Sequence, residues 1–217
     1  MTTAHDPHRC PHPARRRLVA GALAAATLGC PAILRSAHAQ QPLRPTPRQT
    51  EGPFYPPVFE GDADADLLDR AGRRYAHGRP AWVQGQVTDT AGRPLDGAVV
   101  EIWQCDHAGH YRHARDGDRA DEAFQGYGRV TLGRDGRYRF RTIRPVAYGG
   151  RTPHIHLKVL QGRGELLTTQ LYAEGDPGNA QDFLWRRLDA ADRAAVTRPF
   201  AAGPQGLAAE FPIVVAA

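Results

Sequence analysis

In the stretch RTPHIHLKV, residues 151–159, two histidines stand two positions apart at the head of an apolar run. On a strand, positions i and i+2 point to the same side, so His154 and His156 share one face while Ile155, Leu157 and Val159 share the other. Two imidazoles fixed on one rigid face make half of a metal site, although an isolated pair of this kind is more often two partly exposed strand residues. The neighbourhood adds oxygen donors. Tyr148 lies six residues before His154 in a loop of proline and glycine, and Tyr111 follows the turn Asp106-His107-Ala108-Gly109. No aspartate, glutamate or cysteine occurs in RPVAYGGRTPHIH, so the customary further ligands of zinc and ferrous sites are missing locally. A tyrosinate is a hard anionic donor that ligates well only to a strongly Lewis-acidic ion, and two of them favour ferric over ferrous iron.

These residues need a scaffold, and the sequence around them reads as strands. From Ala81 the pattern alternates with period two: AWVQGQVTD, a turn, AVVEIWQCD, then GYGRVTL, YRFRTI, HIHLKVL, LLTTQLY and FPIVV, each bounded by glycine-rich or polar turns. The fold class expected is all-β, an antiparallel β-sandwich with long loops. One helix is expected over Asn179–Val196, where Phe183, Leu184, Leu188 and Ala191 recur at helical spacing. Before Ala81, the lead QPLRPTPRQTEGPFYPP is too rich in proline for helix or central strand and is expected to lie extended across the domain surface. A short helix is expected over Asp64–Arg70. Glu101 and Trp103 read as core residues of a mostly apolar strand, with Glu101 in need of a partner.

The chain of 217 residues divides into an export signal over 1–39, an extended segment over 40–80 and one β-sandwich domain over 81–217. Arg15, Arg16 and Arg17 precede an alanine-rich apolar stretch, and Ala37-His38-Ala39 offers small residues for cleavage before Gln40, the pattern of a twin-arginine signal to the periplasm. Four of the five net positive charges fall in that signal, so the remaining domain is nearly neutral and does not suit nucleic acid. No stable membrane association is expected after cleavage. Only Cys105 remains past the signal, so no intrachain disulfide is expected.

Longer motifs then add a resemblance. TEGPFYP (Thr50–Pro56), GQVTDTAGRPLDGAVVEIWQCDHAGHYRH (Gly85–His113), YRFRTIRPVAYGGRTPHIHLKV (Tyr138–Val159) and LTTQLYAEGDP (Leu167–Pro177) resemble, in order, the intradiol ring-cleavage dioxygenases, in particular the β-type chain of protocatechuate 3,4-dioxygenase. The resemblance implies a ferric ion, Fe(3+), held by Tyr111, Tyr148, His154 and His156, with solvent hydroxide in a fifth place. Tyr111 matches the family's retained tyrosine ligand and Tyr148 the one that leaves when substrate binds. Arg151 and Gln170 match its active-site arginine and glutamine. The activity implied is cleavage of a catechol-type substrate with O2 to a cis,cis-muconate-type diacid, by a homo- or hetero-oligomer. The chain departs from the family at Gly149-Gly150, where the β-type chain has a bulky tryptophan and a longer loop, so the family's substrate preference does not carry over. Two other readings stand beside this one. TDTAGRPLDGAVVEIW also resembles the first hairpin of transthyretin-like and carboxypeptidase regulatory modules, which are non-catalytic, and His154 and His156 with His110 or His113 would make a zinc hydrolase site.

Overall fold

The structure, a computed structural model, describes residues 41–57 and 61–216. The export signal expected over 1–39 lies outside them. A two-stranded ribbon of β1 (Asp69–Arg70) and β2 (Arg73–Arg74) precedes two five-stranded sheets. In the first, β3 (Pro80–Asp89) is central: β6 (Arg137–Ile143) pairs antiparallel along one edge, while β11 (Gly206–Glu210) and β12 (Ile213–Val215) follow each other in parallel along the other. β10 (Ala201–Gly203) lies outside β11. The second sheet runs β5 (Tyr127–Thr131), β4 (Val99–Trp103), β7 (His154–Gln161), β8 (Gly164–Ala173), β9 (Thr197–Arg198), antiparallel except for the last pair. Among the described residues no helix is long and apolar enough to cross a membrane.

The period-two pattern shows why these segments fold as a sandwich. On β3, alternate residues Ala81, Val83, Gly85, Val87 and Asp89 are buried, and on β6 Tyr138 and Phe140 are buried while Arg137 and Arg139 face water. Val83, Val87 and Phe140 from the first sheet and Val100, Ile102, Ile155, Leu157 and Leu171 from the second join one apolar cluster. β7 departs from alternation: all of His154 to Val159 is buried. One face enters the core, and the other, with His154, His156 and Lys158, is covered by the proline-rich lead.

That lead is extended, as its composition implies. Its backbone bonds to three different parts of the sandwich: Leu43 N–H to Thr90, Thr46 N–H to Val214 and Gln49 N–H to Thr168. Over β7, the Lys158 ammonium pairs with Glu51 and stands 3.5 Å from the centre of the Tyr55 ring.

Three expectations are corrected. The helix read over Asn179–Val196 is α-helical only as α1 (Ala190–Val196); Pro177–Gln181 and Trp185–Arg187 are short 3-10 turns. Two aspartates break it. Asp182 and Asp189 are extended (ψ 123° and 175°), and their carboxylates accept from the backbone N–H groups of Leu184 and Trp185, and of Asp192, capping new turns instead of continuing an old one. No helix forms over Asp64–Arg70; Asp66 bridges to Arg141 and Asp69–Arg70 is β1, with the Asp64 and Asp66 carboxylates again capturing nearby N–H groups. Finally, β3 and β4 belong to different sheets and do not pair as a hairpin: TDTAGRPLDGAVVEIW turns back on β3 only as far as Leu95, with Thr88 bridged to Pro94, and then crosses to the second sheet.

Candidate active site

The site sits on the covered face of β7. His154 and His156 lie next to each other there, fully buried, with their Nε2 atoms 3.2 Å apart. The His154 Nδ1–H donates to the Thr152 carbonyl at 2.7 Å, which leaves the Nε2 lone pair facing inward. The Tyr148 hydroxyl lies 3.5 Å from that nitrogen. Tyr111 completes the group: its ring meets Tyr148 edge to face with centroids 4.8 Å apart, and stands 6.2 Å from His156. The four residues singled out from the sequence therefore come together. They are delivered by β7, by the loop before it, and by the turn that follows β4.

The electrostatics of this cluster suit a cation that is strongly Lewis acidic. Burial lowers the His154 pKa to about 4, assisted by the Arg151 charge, and pushes His156 well below the ordinary range, assisted by His154 and Arg151. Both imidazoles are thus neutral with lone pairs to give. Burial raises Tyr111 well above the usual phenol value, and raises Tyr148 as well against the pull of its neighbours Tyr111 and Arg151. Neither phenol would ionise here without a positive ion beside it. The buried Nδ1 of His156 has no hydrogen-bond partner, an arrangement that costs stability unless the group serves another purpose. Two neutral imidazoles and two phenols fit ferric iron, and the donor set is hard enough to hold it.

A pH effect follows directly. The unfolded chain binds a proton at each histidine near pH 6.5, whereas folded His154 resists protonation until about pH 4. Stability is therefore full above pH 6.5 and lost as pH falls through this window, on the order of 3 kcal/mol for His154 in the metal-free protein. Urea midpoints at pH 7 and pH 4.5 check this; a difference equally large in His154→Gln would contradict it.

Arg151 and Gln170 are also near, though not as free groups. The Arg151 Nε donates to Asp182 at 2.6 Å, and its Nη2 donates to the Gln170 carbonyl oxygen at 2.8 Å. Gln170 in turn donates to the Thr50 carbonyl at 3.0 Å and accepts from the Tyr172 hydroxyl at 3.1 Å. Arg151 lines the open cavity; Gln170, wholly buried, holds Arg151 and the covering segment in place. Burial alone would raise Asp182, but hydrogen bonds from Arg151 and from the N–H groups of Trp185 and Thr152 keep its carboxyl below the usual range and ionised.

Asp182, which pairs with Arg151, is the candidate site residue that sequence reasoning missed. It was hidden inside an apparent helix, and an aspartate flanked by Phe183 on an otherwise apolar spacing was the available signal. Trp103 is the second. It stacks on His156 with ring centroids 4.8 Å apart and planes 10° from parallel, fixing the imidazole from behind. Glu101 finds its partner in the Tyr55 hydroxyl, which donates to it at 2.7 Å. Of the histidines proposed for a zinc site, His110 stands 3.4 Å from Asp116 and His113 accepts from the Arg115 N–H. Among the described residues no three His, Cys, Asp or Glu side chains gather as a metal group.

Of the four donors Tyr148 lines a cavity of about 830 Å³, walled also by Phe54, Gly149, Arg151 and Phe183 among others. A second cavity of about 570 Å³, near Trp185, Arg193 and Arg198, shares no wall residue with it and holds none of the donors.

Comparison with known proteins decides the lineage. A family model described as dioxygenase matches residues 50–215, beginning at the segment that covers β7. The protocatechuate 3,4-dioxygenase beta chain of Burkholderia cepacia is 36% identical over 166 residues, 70% of this chain and 69% of that one. The chain belongs to the intradiol dioxygenase family. Catechol 1,2-dioxygenase 1 of Acinetobacter lwoffii, another relative within this family, is 35% identical over 163 residues, 64% of this chain and 50% of that one. The chain thus spans about half the length of that catechol relative. A solved structure, the dioxygenase domain of a dioxygenase and carbohydrate-binding fusion from Streptomyces sp. SirexAA-E, is 33% identical with a TM-score of 0.64, covering 80% of this chain and 99% of that one. The β-sandwich is therefore the family fold, and family membership separates this chain from bare transthyretin-like modules.

Proposed function

We propose that the protein is a non-haem iron dioxygenase that opens a catechol-type ring between its two hydroxylated carbons. Tyr111, Tyr148, His154 and His156 would hold ferric iron, which when bound supplies a Lewis acid for the two substrate oxygens and draws electron density from the ring so that dioxygen can react there. The observation that carries this reading is the convergence of two neutral imidazoles and two phenols into one cluster, which meets a cavity at Tyr148, in a chain of this family.

The chain's own groups divide the remaining work. A catechol must lose two protons as it binds; the Tyr148 oxygen, at the cavity wall, would accept one as the phenolate that bound iron makes of it, and the other would pass to hydroxide or water in the cavity. Tyr111, buried behind Phe54 with ring centroids 4.7 Å apart, is shielded from that exchange. Arg151 presents a guanidinium fixed by Asp182, so its charge can stabilise negative charge developing on the ring without reorganising. The reading carries export with it: residues 1–39 would send a folded, metal-loaded chain to the periplasm.

Turnover of catechol under isotopically labelled dioxygen tests the reading. One labelled oxygen is expected in each carboxyl group of a cis,cis-muconate product. A product without label, or an aldehyde formed by cleavage beside the hydroxylated carbons, would overturn it. In Tyr148→Phe, kcat is expected to fall roughly a hundredfold with iron content unchanged.

A further inference from the structure

At about 830 Å³ the cavity is larger than a bare catechol needs. Tyr148 to Arg151 form a two-residue hairpin: the Arg151 N–H donates to the Tyr148 carbonyl at 2.7 Å, and both central residues have positive φ, 52° at Gly149 and 78° at Gly150. A Cβ built on either glycine would meet no atom within 4 Å. Gly149, which lines the cavity, therefore leaves the wall beside Tyr148 without a side chain. Phe183 lines the same cavity and, at 55% exposed, is the most exposed large apolar side chain among the described residues. Its ring lies 5.3 Å from the Arg151 guanidinium and 5.8 Å from that of Arg187. An aromatic ring held at a cavity mouth is an unfilled apolar contact. At about 830 Å³, the space belongs to the upper part of the range that takes ligands of several rings or a long chain.

The charges of the wall argue for the nature of what fills it. Arg151 is paired with Asp182, and Arg119 with Asp116, which also stands 3.4 Å from His110. Each cation on the wall already has its anion, so nothing there is set to receive a carboxylate. Pro53, Phe54, Ala147, Phe183 and Leu184 supply an apolar lining instead.

We propose that the preferred substrate is a catechol whose ring carries an extended, uncharged substituent, running from the iron site past Gly149 toward Phe183. This rests on the ring-cleavage reading and adds the substrate class to it. Phe183 and the diglycine turn are then the specificity-determining elements.

The test uses the full-length, iron-loaded protein with catechol, 4-methylcatechol, 4-butylcatechol, 4-hexylcatechol and 3,4-dihydroxybenzoate. Both kcat/KM from oxygen uptake and the anaerobic Kd from tryptophan fluorescence are measured. Each fully buried methylene contributes roughly fourfold in affinity, so 4-hexylcatechol is expected to exceed catechol by at least about tenfold in both quantities, and the carboxylate to gain nothing. In Phe183→Ala and in Gly149→Asn, whose side chain tolerates the left-handed backbone and enters the open wall, the hexyl-to-catechol ratio is expected to fall severalfold. Equal or weaker binding of the longer catechols, with catechol itself turned over, overturns the inference and leaves ring cleavage intact. Oxygen uptake with none of the compounds defeats the ring-cleavage reading, and the chain-length trend in anaerobic Kd still decides the inference.

Discussion

Replacing His156 with alanine is expected to leave the protein without bound iron and to lower ring cleavage by at least about a thousandfold, equivalent to ~4 kcal/mol of barrier. His156 is fully buried between Trp103 and the donor cluster, so water cannot restore the lost nitrogen in a fixed position. The sheet should survive the change, because β7 keeps its pairing with β4 and β8 and its core face of Ile155, Leu157 and Val159. Metal content by elemental analysis, together with far-ultraviolet circular dichroism, checks both halves. His113→Ala is the useful contrast: it removes a turn cap and a ligand of the zinc alternative, and iron content is expected to stay. Iron lost in His113→Ala and kept in His156→Ala would reverse the assignment.

Asp182→Asn is expected to have the next largest effect. Arg151 is mostly buried, with its side chain 13% exposed, and the Asp182 side chain is wholly buried. Asparagine can still accept from the Leu184 and Trp185 N–H groups, so the 3-10 turn is preserved, but the guanidinium loses its counter-charge. Stability should drop by about 3 kcal/mol, as for other buried pairs broken on one side. The sharper consequence is catalytic: with Arg151 free to leave its place between Asp182 and Gln170, kcat should fall roughly a hundredfold while iron content is unchanged. A merely structural role for Asp182 would lower stability without changing kcat in the folded fraction.

These expectations show where sequence alone carries and where it stops. The facing of β7 follows from its period, and the extended lead follows from proline, because both are properties of neighbouring residues. The resemblance placed Tyr111, Tyr148, His154 and His156 as donors, and the fold brings them together. Asp182 was illegible for a different reason. Its partner Arg151 lies 31 positions earlier, and local spacing reads its surroundings as helix. Only the competing demand of its carboxylate for the Leu184 and Trp185 N–H groups, and for Arg151, breaks that helix and turns Phe183 out to the cavity. The stack of Trp103 on His156 is similarly nonlocal: the two meet because β4 and β7 pair with Trp103 opposite His156. The crossing of β3 to β4 between sheets was hidden as well, since a turn rich in glycine and proline serves a hairpin and a crossover equally.

The central claim is that two phenols and two imidazoles in this cavity hold ferric iron and present it to a catechol. Visible absorption of the purified, iron-loaded protein tests it most directly, because a phenolate bound to ferric iron absorbs by charge transfer. The account predicts a red-brown protein whose visible band shifts when catechol is added without oxygen, and loses most of its intensity in Tyr111→Phe. A colourless protein that contains zinc, or no metal after loading with iron, would contradict it.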